Sequence, residues 1–481
     1  MTKINDTIIN NTSIENTIYA LSSAPGKAGV AIIRVSGDQA WEGLKQLTPQ
    51  SRRPTPKMAV TRKLYHPVTG NMIDHAMVIG FTAPRSFTGE DCVEYHCHGS
   101  PAVIEELQNA LQQISGHRQA MHGEFTRRAF ENDKMDLTAA EAIADLIHAE
   151  TAAQKDQALI QMGGALADLY HGWAKDLTKS LAYIEAIIDF PDEDVPDEET
   201  AKAKPAIEQL IIDIKNHLDD NRRGERLRDG LSIALIGAPN VGKSSLINLL
   251  SQRDVAIVSD IPGTTRDVMQ VPLNLGGYPV IISDTAGLRP DQLTDQGQDK
   301  IESEGIKRAL KCAQEADLKI LLFDAGADEM DKDTLALVDD HCIIVFNKSD
   351  LNEKNTRSAT FINAPHGEPS SPWLSDKNTT TLNISIKEGV NIDSFIEQLT
   401  QHVAQEFSKG QGQNTPSLTR QRYRTTLQTA LAHMEQSLYH GEPELMAQEL
   451  RFAINQIGTI TGQINADDLL DVIFKDFCIG K

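Results

Sequence analysis

The stretch GAPNVGKS at residues 237–244 decides the fold of the middle of the chain. It follows a short apolar run at 232–236 and precedes a helix-forming run at 245–250. A glycine-rich turn between a strand and a helix is typical of a phosphate-binding loop, because its glycines let successive backbone N–H groups point at one anion. The sequence therefore predicts a P-loop at the start of an α/β domain.

The polar residues of this loop each have an expected task. Lys243 neutralises the outer phosphate charge, Ser244 gives a hydroxyl oxygen to Mg²⁺, and the N-terminus of the next helix adds its dipole. The loop residues predicted to bind the nucleotide are Asn240, Val241, Gly242, Lys243, Ser244 and Ser245.

Two later segments extend the predicted phosphate site. DTAG at 284–287 follows a strand-like run, so Asp284 would hold the water shell of the metal and Gly287 would offer its N–H to the γ-phosphate. IPGTTRD at 261–267 supplies the expected switch that closes on Mg²⁺. The residues predicted to bind from these segments are Ser259, Thr264, Thr265, Asp284, Thr285, Ala286 and Gly287, with Thr265 as a second Mg²⁺ ligand.

The segment NKSD at 347–350 predicts which base the nucleotide carries. Asp350 can accept hydrogen bonds from the N1–H and exocyclic amine of guanine, which adenine cannot donate. Asn347 and Lys348 belong to the same motif, and Ser385, Ile386 and Lys387 fit a final contact to the base. Together the motifs predict a guanine-nucleotide hydrolase.

The residue after DTAG is Leu288, where small signalling GTPases have a glutamine that orients water. Leucine cannot orient water, so another group is needed. Several carboxylates lie between 291 and 304, and their spacing does not choose among them, since an acidic helix face exposed to solvent gives the same pattern.

Asn240 suggests how the negative charge of the phosphates is compensated without an arginine finger. Its side-chain carbonyl, with Ser259, Ile261 and Thr264 of the switch segment, forms the predicted K⁺ site near the phosphates. The hypothesis predicts that K⁺ activates turnover much more strongly than Na⁺.

The 481-residue chain is long enough for about three domains. Strand-like runs at 17–36, 75–81 and 91–98 with a helical run at 102–114 make the first part mixed α and β. Apolar residues then recur in steps of three and four from 137 to 188, and again from 427 to 464, which predicts helical bundles. The segment from 231 to about 403 instead alternates strands with helices, as in a mostly parallel α/β sheet. The predicted bounds are 1–133 for the N-terminal domain, 134–228 and 406–481 for a helical domain in two parts, and 229–405 for an inserted α/β domain.

The composition excludes several classes of protein. Lys and Arg total 46 against 68 for Asp and Glu, a net charge of −22, so a nucleic-acid contact made by a wholly basic surface is excluded, although a local basic patch is not. The longest apolar runs fall far short of the roughly 18 residues of a membrane span. With no visible signal peptide and five cysteines, we expect a cytosolic protein with reduced thiols and no membrane association.

Cys92, Glu94, His96 and His98 alternate along a strand-like run and would share one face. Such a face can resemble a metal site, but the spacing is not that of zinc ligands. We expect a structural role for this set.

From Thr17 to Lys481 the chain resembles the MnmE (TrmE) family of tRNA-modification GTPases. The resemblance rests on IPGTTRD, the leucine after DTAG, DFPDE at 189–193 and above all the terminal FCIGK at 477–481. It implies an N-terminal α+β domain that binds folate and forms a homodimer, a helical-bundle domain made by both flanks, and an inserted Ras-like P-loop GTPase domain that dimerises with K⁺ across its nucleotide face.

The resemblance also implies particular residue roles. The general base of the family lies in a Glu-x-x-Gly-Ile context, which here selects Glu302, although this chain carries extra residues between Gly287 and Glu302. Cys478 matches a residue needed for modification rather than for GTP hydrolysis. The positions that match the contacts to 5,10-methylene- or 5-formyl-tetrahydrofolate are Arg34, Glu94, Lys134 and Lys481.

The reaction implied by the resemblance is the addition of an aminomethyl or carboxymethylaminomethyl group to C5 of the wobble uridine (U34) of certain tRNAs. It would require an FAD-dependent MnmG (GidA)-type partner in an α2β2 heterotetramer. Two other classes of GTPase are the alternatives. A ribosome-assembly GTPase would carry a basic RNA-binding domain, and a dynamin-like GTPase would carry membrane-binding segments.

Overall fold

The computed structural model describes residues 17–189, 203–253, 255–257, 270–284, 311–327, 329–351, 380–408, 416–464, 467–475, 477, 479 and 480. The chain divides into two compact units. Unit 1 comprises Met1–Ala144, Gln161–Ala203 and Gln436–Lys481, and unit 2 comprises Asp145–Ile160 and Lys204–Glu435. The domain bounds expected from the sequence remain predictions.

Unit 1 contains a six-stranded sheet in the order β3-β4-β5-β2-β1-β6, in which β1 and β6 are parallel and the other neighbours are antiparallel. Its strands are β1 (Thr17–Leu21), β2 (Ala28–Ser36), β3 (Val60–Tyr65), β4 (Met72–Phe81), β5 (Cys92–Gly99) and β6 (His117–Gln119). Buried and more exposed residues alternate along β4 and β5, as expected for a sheet with one face on a core. The strands predicted at 17–36, 75–81 and 91–98 are confirmed.

Helices α1 (Ala40–Leu47) and α2 (Pro101–Gln112) contribute Leu44 and Leu107 to the core on this sheet, beside Tyr95 of β5. Helix α3 (Glu124–Glu131) follows β6. The predicted helix at 102–114 is confirmed.

The long helical pattern beginning at 137 is also confirmed, as three helices: α4 (Leu137–His148), α5 (Ala152–Met162) and α6 (Ala165–Asp189). A turn at Gly163 and Gly164 separates the last two. Gly164 has φ +87°, a left-handed conformation that glycine adopts without steric strain. Two more described helices precede the P-loop, α7 (Ala203–Leu218) and α8 (Arg223–Asp229).

Unit 2 contains a second six-stranded sheet, in the order β12-β11-β10-β7-β9-β8. Its strands are β7 (Leu231–Ile236), β8 (Gln270–Leu275), β9 (Tyr278–Asp284), β10 (Leu318–Asp324), β11 (Cys342–Asn347) and β12 (Thr380–Asn383). All neighbours are parallel except the edge strand β8, which is antiparallel to β9.

Helices cover this sheet, and it is buried on both faces. In β10, Ile320 and Leu322 join one core, while Leu321 and Phe323 join the core on the other face. Burial on both faces explains the unbroken apolar strands. The described helices of this part of the chain include α9 (Lys243–Ser251), α10 (Lys332–Leu335) and α11 (Ile392–Ser408).

Three further helices complete the described chain: α12 (Gln421–Tyr439), α13 (Pro443–Thr461) and α14 (Asp467–Lys475). Helices α6 and α13 pack along each other within unit 1. The predicted fold class, an N-terminal α+β region with helices that flank an inserted, mostly parallel α/β sheet, is confirmed. Among the described residues, no helix combines the length and apolar character needed to cross a membrane.

Candidate functional site: a P-loop and an N-terminal charged cluster

The loop between β7 and α9 has the backbone shape of a phosphate cradle. Asn240 and Gly242 have φ values of +62° and +110°, so successive N–H groups turn inward. A Cβ on Gly237 would overlap the Leu322 carbonyl oxygen, and one on Gly242 would overlap the side-chain amide of Asn347. Close approach therefore requires glycine at both positions, and at Gly242 the backbone conformation requires it as well.

Lys243 is folded over this loop and is 7% exposed. Its Nζ donates to the carbonyl oxygens of Gly237 at 2.6 Å and Ala238 at 2.9 Å. These bonds hold the ammonium group at the mouth of the cradle. A bound phosphate would meet a positive charge that is already positioned.

Asn347 joins three segments of the predicted nucleotide site. Its Nδ2 donates to the Val241 carbonyl oxygen at 2.8 Å, and its Oδ1 accepts from the backbone N–H of Ile386 at 3.1 Å. The side chain is buried, with 4% exposure. One residue thus links the P-loop, the base-reading motif and the loop after β12.

Asp350 and Ser385 form the next contact of the base-reading motif. The Ser385 hydroxyl donates to Asp350 Oδ1 at 2.6 Å and also accepts from the backbone N–H of Glu388 at 3.2 Å. Ser385 is fully buried, whereas Asp350 and Lys387 are exposed. The buried hydroxyl therefore orients a carboxylate that is open to a ligand.

Asp324, the last residue of β10, was missed by the sequence reasoning. It is paired with Asn347 in the β10–β11 register, and its Oδ2 accepts from Lys348 Nζ at 2.7 Å. Partial burial opposes ionisation, but hydrogen bonds from Lys348 and the Gly326 N–H hold the pKa of Asp324 below its usual range. The sequence signal that could have identified Asp324 is a carboxylate at the end of an apolar, strand-like run.

Of the predicted Mg²⁺ ligands, Ser244 is described and its hydroxyl oxygen suits the ion; the backbone of Asp284, predicted to hold the metal's water shell, is described as well. Ser244 lies exposed in the first turn of α9, and Asp284 ends β9 opposite Leu235 of β7, the strand that leads into the P-loop. Hydroxyl and carboxylate oxygens are the donors that Mg²⁺ prefers. The other predicted phosphate, switch and catalytic positions lie outside the described residues: Ser259, Ile261, Thr264, Thr265, Thr285, Ala286, Gly287 and Glu302.

A second cluster lies in unit 1, where Arg34 and Glu94 face each other on β2 and β5. Arg34 Nε donates to Glu94 Oε1 at 3.0 Å, and the other carboxylate oxygen lies 3.4 Å from His96 Nε2. The Arg34 guanidinium lies over Phe87 and Phe125, 5.1 Å and 5.7 Å from the ring centroids. Charged groups beside aromatic faces suit a flat, polar heterocycle.

An ion-pair network lies beside this cluster. Arg128 donates to both carboxylate oxygens of Glu90 at 3.1 Å and to Glu124, which also binds Arg118. Burial raises the pKa of Glu124, but the bonds from Arg118 and the Met121 N–H outweigh it and leave the pKa below the usual range. Because Glu124 stays ionised, it anchors α3, which carries Phe125, to β6.

The other two predicted folate positions differ in what is described. Lys134 is exposed, and its Nζ donates to the Pro84 carbonyl oxygen at 3.0 Å in the loop before β5. Lys481 lies outside the described residues, as does Cys478.

The described part of the chain end packs against β1 and the segment after β6. The Ser22 hydroxyl donates to the Gly480 carbonyl oxygen at 2.9 Å, and His122 Nδ1 lies 3.0 Å from the Phe477 carbonyl oxygen. Gly480 has φ +97°, and a Cβ there would overlap the Leu21 carbonyl oxygen. Only glycine suits this position in the terminal motif.

The alternating set on β5 does share one face, and Glu94 and His96 contact each other there, but Cys92 and His98 each have partners outside the set. Cys92 is buried beside the Ser36 and Thr88 hydroxyls, each 3.2 Å from Sγ. His98 Nδ1 lies 2.8 Å from Asp74 Oδ1. Within the described ranges, no grouping of three His, Cys, Asp or Glu side chains could hold a metal ion.

Comparisons with known proteins cover the chain from Thr17 onward. Family models match at 17–134, described as the GTP-binding protein TrmE N-terminus, and at 137–478, described as the MnmE helical domain. The tRNA modification GTPases MnmE of Rickettsia canadensis and Rickettsia bellii are each 44% identical over 97% of this chain and 100% of their own length. The G domain of the T. maritima FeoB iron transporter aligns at 22% identity with a TM-score of 0.24, covering 36% of this chain and 98% of its own. The helical-domain match alone spans well over half of the chain, so this GTP hydrolase belongs to the MnmE family of tRNA modification GTPases.

Proposed function

We propose that the protein is a K⁺-activated GTPase that works in the cytoplasm with an FAD-dependent MnmG-type partner on tRNA. The pair adds an aminomethyl or carboxymethylaminomethyl group to C5 of the wobble uridine, U34. Methylene- or formyl-tetrahydrofolate, bound to the N-terminal domain, supplies the one-carbon unit. GTP hydrolysis drives conformational cycling of a homodimer within an α2β2 heterotetramer.

The observation that best supports the proposed GTP binding is that Asn347 bonds to two loops at once. Its bonds to Val241 and Ile386 bring the phosphate loop and the base-reading loops to one edge of the sheet. Lys243 then meets the phosphates, Ser244 ligates Mg²⁺ with Thr265, and Asp350 accepts from guanine. When bound, Mg²⁺ neutralises charge on the phosphate oxygens.

Potassium activation is supported by the place of Asn240. The residue is exposed at the tip of the P-loop in a left-handed conformation, so its amide oxygen is available for an ion beside the phosphates. The full proposed ligand set is Asn240, Ser259, Ile261 and Thr264. Turnover should be much faster in K⁺ than in Na⁺ at equal ionic strength, and Asn240→Gly, which keeps the backbone conformation accessible, should remove the difference. Equal rates in the two salts for the unmodified chain would overturn this part.

We assign the general base to Glu302. Glu302→Ala should keep nucleotide affinity and lose turnover, since the base acts on the attacking water and not on the bound nucleotide. A matched control is Glu315→Ala, an exposed carboxylate beyond the same acidic segment, which should hydrolyse GTP at the normal rate. Undiminished hydrolysis by Glu302→Ala would refute the assignment.

The folate site is supported by the Arg34–Glu94 pair beside Phe87 and Phe125. Glu94 would pair with the N–H edge of the pterin, while Arg34, Lys134 and Lys481 would face the carboxylated tail. Glu94→Gln should weaken binding of 5-formyl-tetrahydrofolate in calorimetry without changing GTP hydrolysis. The control Glu42→Gln alters an exposed carboxylate on α1 and should bind normally.

The tRNA reaction is tested by nucleoside analysis of tRNA from cells that lack the protein. The modified wobble uridine should disappear and return with the unmodified gene. Cys478→Ser should fail to restore it while still hydrolysing GTP, because Cys478 is proposed to serve the modification alone. Unchanged wobble uridines in the deletion strain would overturn the proposed function.

A further inference from the structure

Lys348, the second residue of the base-reading motif, is constrained from both ends. Its backbone has φ +62°, a left-handed conformation that a lysine adopts only when its surroundings hold it there. It follows Asn347, which is 4% exposed and bonded to two neighbouring loops. The backbone of Lys348 is therefore fixed by its neighbour.

The far end of the side chain is fixed by Asp324. Lys348 Nζ donates to Asp324 Oδ2 at 2.7 Å, and the other carboxylate oxygen accepts from the Gly326 N–H at 2.9 Å. The Ala325 N–H donates to the Asn347 carbonyl oxygen at 2.8 Å, so the two strand ends are also joined through the backbone. Both ion-pair partners are partly buried, with side-chain exposures of 35% and 28%.

This arrangement stretches the methylene stem of Lys348 beside the P-loop. Asp324, Lys348 and Asn240 line the same cavity of about 210 Å³, which borders the phosphate loop. Without the carboxylate, the four-carbon stem would regain its rotamers and would have to be ordered again when the ligand binds.

We propose that Asp324 is a positioning residue for guanine-nucleotide binding: by holding the Lys348 ammonium, it orders the Lys348 stem as one wall of the nucleotide site. The inference rests on the proposed nucleotide site, in which Lys348 touches the ligand and Asp324 does not. It assigns a function to a strand-end carboxylate that lies outside the P-loop and the base-reading motifs.

The test is a double-mutant cycle on the affinity of the full chain for fluorescently labelled GDP. Asp324→Asn should weaken binding about tenfold, because a neutral amide oxygen holds the Lys348 ammonium less firmly than the carboxylate does and so orders the stem less well. Lys348→Met keeps most of the stem but cannot be anchored, so it should weaken binding by a similar factor. The double variant should be no weaker than either single variant.

Asp339→Asn is the matched control. Asp339 pairs with Lys319 at the opposite end of β10, so the substitution removes the same kind of ion pair and should leave GDP affinity unchanged. A merely structural role for Asp324 would lower the melting temperature without the non-additive loss of affinity.

Normal GDP affinity in Asp324→Asn, or additive losses in the double variant, would overturn the positioning role alone. Failure of the unmodified chain to bind GDP would overturn the nucleotide site on which the inference rests. The two failures are therefore distinguishable in one set of titrations.

Discussion

Arg424 of α12 and Glu225 of α8 form an ion pair of 2.9 Å that is almost closed to solvent, with side-chain exposures of 11% and 4%. Arg424 also donates to Asp220 at 2.6 Å and to the Leu218 carbonyl oxygen at 2.6 Å. One guanidinium thus ties three parts of unit 2 together just before the strand that leads into the P-loop.

Arg424→Ala should destabilise unit 2 by about 3–5 kcal/mol, because it removes the cation paired with the partly desolvated Asp220 and weakens the pairing of Glu225, which Arg222 also binds. Lys215→Ala is the control: it breaks a pair with Glu435 between α7 and α12 in which both side chains are about half exposed, and should cost no more than about 1 kcal/mol. Urea unfolding monitored by circular dichroism measures both. Equal costs would contradict the buried-network assignment.

His217 gives unit 2 a pH-dependent stability. Burial lowers its pKa to about 4, with Arg424 acting in the same direction and Asp220 opposing it. In the unfolded chain the imidazole takes up a proton near pH 6.5, whereas in the folded chain it does so only near pH 4. The unfolded state therefore binds more protons between these values, so this contribution to stability is full above about pH 6.5 and declines as the pH falls toward 4.

The slope of the unfolding free energy against pH reflects the number of protons taken up on unfolding. In that window His217→Gln should reduce this number by up to about one. His341→Gln alters an exposed histidine of the same unit and should leave the slope as it is. Unfolding curves between pH 4 and 7 provide the measurement. An unchanged slope in His217→Gln would show that another group carries the effect.

Much of unit 2 could be predicted because its signals are local. The P-loop, the DTAG segment and NKSD each follow a strand directly, and the carboxyl ends of parallel strands lie at one edge of a sheet. Strand β8 was missed because it is a short edge strand containing Pro272, and proline weakens a strand pattern.

The contacts that could not be predicted join residues far apart in sequence. Glu225 and Arg424 are separated by 199 positions, and Asp324 meets Lys348 only because β10 and β11 are neighbours in register. Periodicity predicts each strand or helix but not which side chains meet at its end. Arg34 and Glu94 could be predicted as site residues only through the family resemblance.

Gly242→Ala should abolish nucleotide binding. A methyl group there would overlap the Asn347 amide that holds Val241, and φ of +110° is strained for alanine. Gly70→Ala is a control for the stability cost of a positive φ alone, since Gly70 also has a positive φ, +72°, but a Cβ there meets nothing within 4 Å. That control should cost about 1 kcal/mol of stability and leave GDP affinity unchanged. Normal affinity in Gly242→Ala would contradict the close approach of Asn347.

Asp350→Asn should change the preferred base from guanine to xanthine. Guanine presents two donors, N1–H and the 2-amino group, to a carboxylate that the Ser385 hydroxyl orients from behind. Xanthine keeps N1–H but has a carbonyl oxygen at position 2, which suits the one acceptor and one donor of an asparagine amide. We expect the variant to lose at least about tenfold in GDP affinity and to gain in affinity for xanthosine diphosphate, measured by competition against labelled nucleotide.

Ser385→Ala is the control. It should weaken the binding of both nucleotides without reversing the preference, because it removes the hydroxyl that orients Asp350 and not the carboxylate that reads the base. A variant that loses GDP and gains nothing for xanthosine diphosphate would mean that Asp350 stabilises the loop and does not read the base.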